Sequence, residues 1–347
     1  MGDEMRGLIY LILLAALGYS AYWFVGSTAQ QTALSAWLDQ QRNRGWLAEA
    51  SEINVTGFPN RFDAIISDLK LGDPAFDWVW NAPEFQILAL SYKPNHIIAA
   101  WPGKQSIASP YEQIDVTSEL MRGSVRFAPN TGLALQEARV ELDQVEIAST
   151  LGYTGGLESG FLAIRLNDGE PAPDIAYDVS FQAKQFRLAE PIKQALDPSD
   201  GLPAALENMN LRMTPVYDAV WDRAAIEGRK PQLQTLRDAD LNIKWGPLEF
   251  RLRGTLDVDE NGYGAGRMNL TAKNWREIIA LSIRAGWLQP DFADVLQTWI
   301  GVVAKTSGNA DNIDIPLTFE DGLAKLGPVP LLGSFDIGQA PKLVHLQ

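Results

Sequence analysis

The sequence predicts a β-rich α+β protein: an N-terminal transmembrane helix followed by a large curved antiparallel sheet with a few packed helices. Three observations carry this prediction. An uncharged apolar run opens the chain, from Gly7 to Gly26. Beyond Gly45 the hydrophobic period changes from helical to two, which places alternate side chains on opposite faces of a strand. Three later stretches interrupt that alternation with helical spacing.

The opening run reads GLIYLILLAALGYSAYWFVG. About 20 such residues span the ~30 Å hydrocarbon core of a bilayer. Arg6 precedes it, and Tyr19, Tyr22, Trp23 and Phe24 cluster at its far end, where amphipathic rings favour the headgroup layer. Residues 1–6 are therefore expected to be a cytoplasmic tail, residues 7–26 a single-pass signal anchor in the inner membrane, and residues 27–347 a periplasmic β-rich domain. Ser27-Thr28-Ala29 offers small residues for the competing reading, a signal peptide cleaved after Ala29. The apolar run is longer than the usual core of such a peptide, which favours a retained anchor.

From Thr28 to Trp46, Ala33, Leu34, Trp37 and Leu38 recur at helical spacing, so a second helix is expected to leave the membrane and stop at Gly45. The clearest strand follows much later: Leu248, Phe250, Leu252, Leu256 and Val258 alternate with Glu249, Arg251, Arg253, Thr255 and Asp257. Asn261-Gly262 supplies a hairpin turn, and Gly264 to Leu270 carries the alternation outward. Ile175, Tyr177, Val179 and Phe181 repeat it. Val140 with Leu142, then Val145 with Ile147, change parity once, which predicts a bulge near Asp143. One-sided strands of this kind imply an antiparallel sheet. The helical interruptions are expected at Val216 to Glu227, Trp275 to Leu288, and Pro290 to Lys305. The last two are strongly apolar and read as a pair covering part of the sheet. No linker marks a boundary after the anchor, so residues 27–347 read as one extended domain.

The 347 residues carry 29 Lys plus Arg against 43 Asp plus Glu, a formal net charge of -14. Nucleic-acid binding draws on clustered cations, so no nucleic-acid partner is expected. The chain has no cysteine, and its only histidines are His96 and His345, which excludes thiolate chemistry, a histidine triad and a three-histidine zinc site. Asp257 to Gly262 matches half of a calcium loop, but Met268 stands where a bidentate Glu belongs, and a hairpin turn accounts for it. Gly262, Gly264 and Gly266 lack the Lys and Ser/Thr of a phosphate loop. No catalytic residue, metal or cofactor is expected, and the protein reads as non-enzymatic. Eleven tryptophans, among them Trp78, Trp80, Trp101, Trp245, Trp275, Trp287 and Trp299, suit either core packing or a wide apolar groove between sheet and helices.

Two segments carry a family resemblance. They are Val55-Thr56-Gly57-Phe58-Pro59-Asn60-Arg61-Phe62-Asp63, and Ile315-Pro316-Leu317-Thr318-Phe319-Glu320-Asp321-Gly322-Leu323 running into Leu326-Gly327-Pro328-Val329-Pro330-Leu331. With the anchor before them they resemble an uncharacterised alphaproteobacterial family, domain-of-unknown-function family 2125, for which no activity is established. The plan of one anchor, a G-F-P turn and a long antiparallel sheet is also similar to AsmA-like envelope proteins, which implies a sheet that holds or passes lipid. The leading expectation is thus a protein joined to the membrane through residues 7–26 that binds or guides acyl chains of a lipid or lipoprotein. The groove candidates are Leu248, Phe250, Leu252, Ile175, Tyr177, Val179 and Phe181 on the sheet, with Trp275, Ile279, Leu296 and Trp299 on the covering helices. The alternative is an envelope scaffold or assembly factor that recruits a protein partner through a sheet edge or the helical pair. A carboxylate-dependent hydrolase is the third reading and needs two acidic side chains meeting in a cleft.

Overall fold

The computed structural model describes residues 2–169, 175–259, 261–286, 288, 290–306, 310–320, 322–327 and 329–334. Trp287, Asp321, Pro328 and His345, named above, lie outside them, as does Glu260 of the half calcium loop. Strand dominates, almost all of it antiparallel. Contacts gather the chain into two compact units, Met1–Phe127 with Ile147–Gly152 and Ala128–Glu146 with Tyr153–Gln347. The division falls inside a strand, Leu135–Ser149, and not at a linker, so composition carries no mark of it.

The first unit opens with α1 (Gly2–Asn43), one unbroken helix. The sequence reading separated an anchor from a second helix starting at Thr28; the structure corrects this by running them together. No proline intervenes, and the small polar residues at the junction bond back into the helix. Ser27 and Thr28 donate to the Phe24 carbonyl and Thr32 to that of Thr28. The helix stops where expected. Gly45 has φ +89°, its N–H bonds the Arg42 carbonyl, and the Trp46 N–H reaches back to Gln41, the paired bonds of a Schellman cap.

Strands β1 (Leu47–Glu49) and β2 (Glu52–Thr56) both pair with β3 (Arg61–Asp73). β3 pairs with β4 (Trp78–Leu90) along its length. β4 then divides its other edge between β5 (Lys93–Ala100) and β6 (Lys104–Ala108). β7 (Gln113–Thr117) extends β6, and β8 (Leu120–Phe127) extends β5. Leu38 of α1 is buried with Ala48, Ile66, Leu69 and Ala82, so the apolar stripe of the helix closes this sheet.

The second unit is a meander. It takes the first part of β9 (Leu135–Ser149), then β10 (Thr154–Leu166), β11 (Ile175–Arg187), β12 (Ala205–Tyr217), β13 (Leu233–Trp245), β14 (Leu248–Val258), β15 (Gly264–Lys273), β16 (Asn312–Glu320), β17 (Leu323–Leu326) and β18 (Val329–Ser334). From β10 onward each strand pairs antiparallel with the next. The registers align two apolar rows across seven strands. Counting from β16 to β10, one row is Ile313, Ala272, Phe250, Ile243, Met209, Ala183 and Gly160. The next is Ile315, Leu270, Leu252, Leu241, Leu211, Phe181 and Leu162. The intervening rows are polar, for example Lys184, Asn208, Lys244, Glu249 and Lys273 from β11 to β15. Alternation at period two thus becomes one dry face and one wet face.

Four non-glycine residues with φ near +50° reset that alternation inside strands: Asp68, Gln144, Gln185 and Asp238. Gln144 (φ +46°) stands where the sequence changes parity.

Two helices, α4 (Trp275–Arg284) and α5 (Pro290–Thr306), cover the β14–β16 end of the dry face. Their Trp275, Ile279, Ala293, Leu296, Ile300 and Ala304 are buried against Met268, Ala272, Ile313, Ile315 and Leu317. α4 stops before Leu288 because Gly286 turns left-handed at φ +74°. The expected helix from Val216 is a second correction. Val216 and Tyr217 complete β12, and only α3 (Arg223–Glu227) is helical, capped by the Asp222 carboxylate on the Ala225 N–H at 3.0 Å. Val, Tyr and Trp at helical spacing imitated an amphipathic stripe, but the β-branched and aromatic pair at 216–217 packs as strand.

Candidate apolar groove

Beyond the reach of α5 the dry face of the second unit is only partly covered. α2 (Glu190–Leu196) and the inner side of α4 arch over the ends of β12–β14, and a cavity of about 540 Å³ remains beneath them. Its floor is Met209, Leu241, Ile243, Leu248 and Phe250. Leu196 of α2 and Ile278 and Leu281 of α4 form the opposite wall, and Ser282 is the one hydroxyl. A second cavity of about 380 Å³ adjoins it over β9–β12, lined by Val140, Leu142, Leu157, Leu162 and Phe181 among others. Phe186 and Met209 line both cavities, so the two meet there. Phe186 faces this neck because Gln185, at φ +48°, returns the next side chain to the dry face. Each volume lies within the ~300–1,000 Å³ of ordinary small-molecule sites.

The frame around the larger cavity is fixed by polar contacts outside it. Trp245 is buried with Leu202, Leu206 and Leu248, and its indole N–H donates to the Pro203 carbonyl at 2.8 Å. At the end of α2, the Asp197 carboxylate accepts the N–H groups of Leu202 (2.7 Å) and Gly201 (3.2 Å) and the Ser199 hydroxyl. Lys193 lies 3.6 Å from the same carboxylate and also pairs with Asp200. Burial alone would raise the Asp197 pKa, but those N–H groups, the hydroxyl and the ammonium together hold it below the usual carboxylate range. Lys193 is raised, first by its hydrogen bond to Asp200. On the wet face Arg251 clasps Asp240 through two bonds of 2.9 and 2.8 Å, and this bidentate contact leads the lowering of the Asp240 pKa.

The structure brings three of the sequence candidates to the groove. Leu248 and Phe250 line the larger cavity and Phe181 the smaller. Leu252 continues the dry face but packs against the helix-covered core. Tyr177 is 1% exposed, its hydroxyl bonded to the Trp221 N–H at 3.2 Å, and burial raises its pKa. Ile175 and Val179 lie half-buried on the same strand. Trp275 and Ile279 of α4 and Leu296 of α5 are buried in the core between helices and sheet, and Trp299 packs on that core. Sequence reasoning missed Phe186, Met209, Leu241, Ile243 and Ile278. The alternation in Leu241, Ile243 and Trp245 was visible; that these residues stand opposite Met209 and Phe250 depends on register. Among the tested motifs, the half calcium loop resolves into a turn, since the Asp259 Oδ1 accepts the Asn261 and Tyr263 N–H groups at 2.8 and 2.9 Å.

A family model described as uncharacterized protein conserved in bacteria, domain-of-unknown-function family 2125, matches residues 23–334. No curated protein and no solved structure matches the chain.

Proposed function

The chain belongs to domain-of-unknown-function family 2125, and from that premise we propose that it is an inner-membrane-anchored periplasmic protein that binds or guides a lipid acyl chain without catalysis. The observation that carries this reading is the pair of adjoining apolar cavities sharing Phe186 and Met209. Hydrocarbon walls with one hydroxyl offer no partner to a charged or sugar-like ligand, whose desolvation would go uncompensated. They suit an alkyl chain, for which each methylene taken out of water contributes about 0.8 kcal/mol. Further support comes from α1, a helix long and apolar enough to cross a membrane, which would tie the chain that carries the groove to a source of such chains. The plan of one span, a G-F-P turn and a long meander is also similar to that of AsmA-like envelope proteins.

The test is native mass spectrometry of the full chain ejected from lipid nanodiscs, with extraction of whatever stays bound. Retained phospholipid or fatty acid at near-unit stoichiometry, reduced by Met209→Asp, is the expected result. A bare protein mass in every charge state would overturn the reading and favour a scaffold that recruits a protein partner.

A further inference from the structure

We propose that two turns of the first unit, at Gly57–Arg61 and Leu90–Lys93, are seated in the headgroup layer of the bilayer beside α1. The inference rests on reading α1 as a membrane span and is independent of the groove. It starts from an overlap. The uncharged run ends at Gly26, yet the folded body already grips the helix from Tyr19 onward. The Tyr19 hydroxyl shares a 2.8 Å hydrogen bond with the Ser91 hydroxyl, the Tyr22 hydroxyl donates to the Ser91 carbonyl at 2.7 Å, and the Trp23 indole donates to the Arg61 carbonyl at 2.6 Å. Ser91 is fully buried by these contacts and Trp23 nearly so.

Tyr19 and Gly26 are separated by about 10 Å of helix at 1.5 Å per residue. Roughly 20 residues are needed for ~30 Å of hydrocarbon, and the headgroup regions bring the bilayer to about 40–45 Å. If Gly7 to Gly26 occupies the hydrocarbon and its border, the turns that hold Tyr19, Tyr22 and Trp23 lie at the same depth as the end of the run. No flexible segment could lift the body away, because α1 is continuous through Asn43 and packs on the first sheet.

The surface these turns present agrees with that depth. Phe58 is 51% exposed, Phe24 60% and Tyr92 60%. The rings of Phe24 and Phe58 stack at 5.8 Å and 24°, so the exposed patch continues the lipid-facing side of the helix without a break. Exposed Lys93 follows Tyr92, and an aromatic body beside a long cationic stem suits the boundary between hydrocarbon and phosphate. Phe58 owes its place to Gly57, whose φ of +98° and approach to Arg61 leave no room for a Cβ.

The absence of cysteine makes the test clean, because any introduced thiol is labelled alone. Nitroxide labels on Phe58→Cys and Tyr92→Cys are compared in full-length protein reconstituted into phosphatidylcholine–phosphatidylglycerol vesicles. Ile12→Cys within the span is the lipid reference. Tyr111→Cys is the water reference, since neighbouring Pro110 shares a cavity with Gly45, about 30 Å along α1 from Phe24. Both test labels are expected to lose most of the collision with an aqueous nickel chelate seen at Tyr111→Cys, while keeping collision with lipid-dissolved oxygen. Nickel collision equal to that of Tyr111→Cys, with Ile12→Cys still in lipid, overturns the seating and leaves the span intact. Loss of both collisions overturns it in favour of a covering protein or second copy. An Ile12→Cys label that reads as water removes the span and the proposal together.

Discussion

Replacing Met209 by Asp places a carboxylate at the neck where the two cavities of the second unit meet, between Ala183 on one neighbouring strand and Ile243 on the other. Met209 is only half-buried, so the empty protein can hydrate the new charge and keep its fold. An alkyl chain passing the neck would strip that water, and an ionised group left unpaired in hydrocarbon is costly. The substitution therefore confines a ligand to one cavity. Its magnitude is readable from chain length. Palmitic acid carries more methylenes than lauric acid, each worth about 0.8 kcal/mol, which amounts to about 3 kcal/mol over the pair. That is roughly a 200-fold difference in Kd. The parent should show this gain and Met209→Asp should lose most of it, while Met209→Leu, a volume-conserving change, should behave as the parent. Competition against a fluorescent fatty acid, with full-length protein in nanodiscs and empty nanodiscs as the partition reference, measures it. Equal chain-length gains in parent and Met209→Asp, with both folded, would refute the argument that the cavities form one channel.

Other consequences follow from the frame. Gly327→Ala should destabilise by about 1–3 kcal/mol, because the residue sits at φ +59° and a Cβ would lie 2.2 Å from Cζ2 of Trp299; an unchanged thermal midpoint would show that the Trp299 ring yields freely. Asp197 is held ionised, so its contribution is fully present above the unfolded carboxylate value of about 4 and lost as pH falls through its lowered native value. Protection of the Gly201 and Leu202 amides against hydrogen exchange, taken relative to the free-peptide rate at the same pH, should fall on acidification through that range, and Asp197→Asn should flatten the dependence; a flat profile in the parent would count against the carboxylate as the clasp of α2. Trp245→Ala should cost about 3–5 kcal/mol in urea denaturation, through lost packing and the bond to Pro203. A cost below about 1 kcal/mol would mean that the site collapses around the loss.

Local features of the chain were legible because they depend on near neighbours. The strand at Leu248–Val258 and the reset near Asp143 follow from period two, and α5 follows from its opening proline and apolar stripe. What escaped depends on distant partners. Tyr19 and Tyr22 read as interfacial aromatics, and nothing near them announces Ser91 as their partner some seventy residues away. Trp275 and Trp245 are the same residue type in one unit, yet one is core and the other frames the groove, a difference set by which helix covers which strands. The neck residues Phe186 and Met209 could not be paired without register, and at Phe186 the residue before it breaks the parity on which such reasoning relies.

The polar rows on the wet face have a consequence for how the meander assembles. Glu249 stands between Lys244 and Lys273, and Asp240 between Arg212 and Arg253. A slip of one residue between β13 and β14 would turn one strand's whole set over, driving Asp240 or Arg251 into the hydrocarbon side and Leu241 or Leu252 into water. Hydrophobic alternation alone tolerates a slip of two, since it restores the faces. The charges do not, because shifting β14 by two residues one way sets Arg251 opposite Lys244 and pulls it from Asp240, while the other way takes Glu249 from opposite Lys244 and sets it opposite Asn242. The ion pairs thus act as a proofreading device for strand alignment, rejecting the misalignment that greasy side chains would accept.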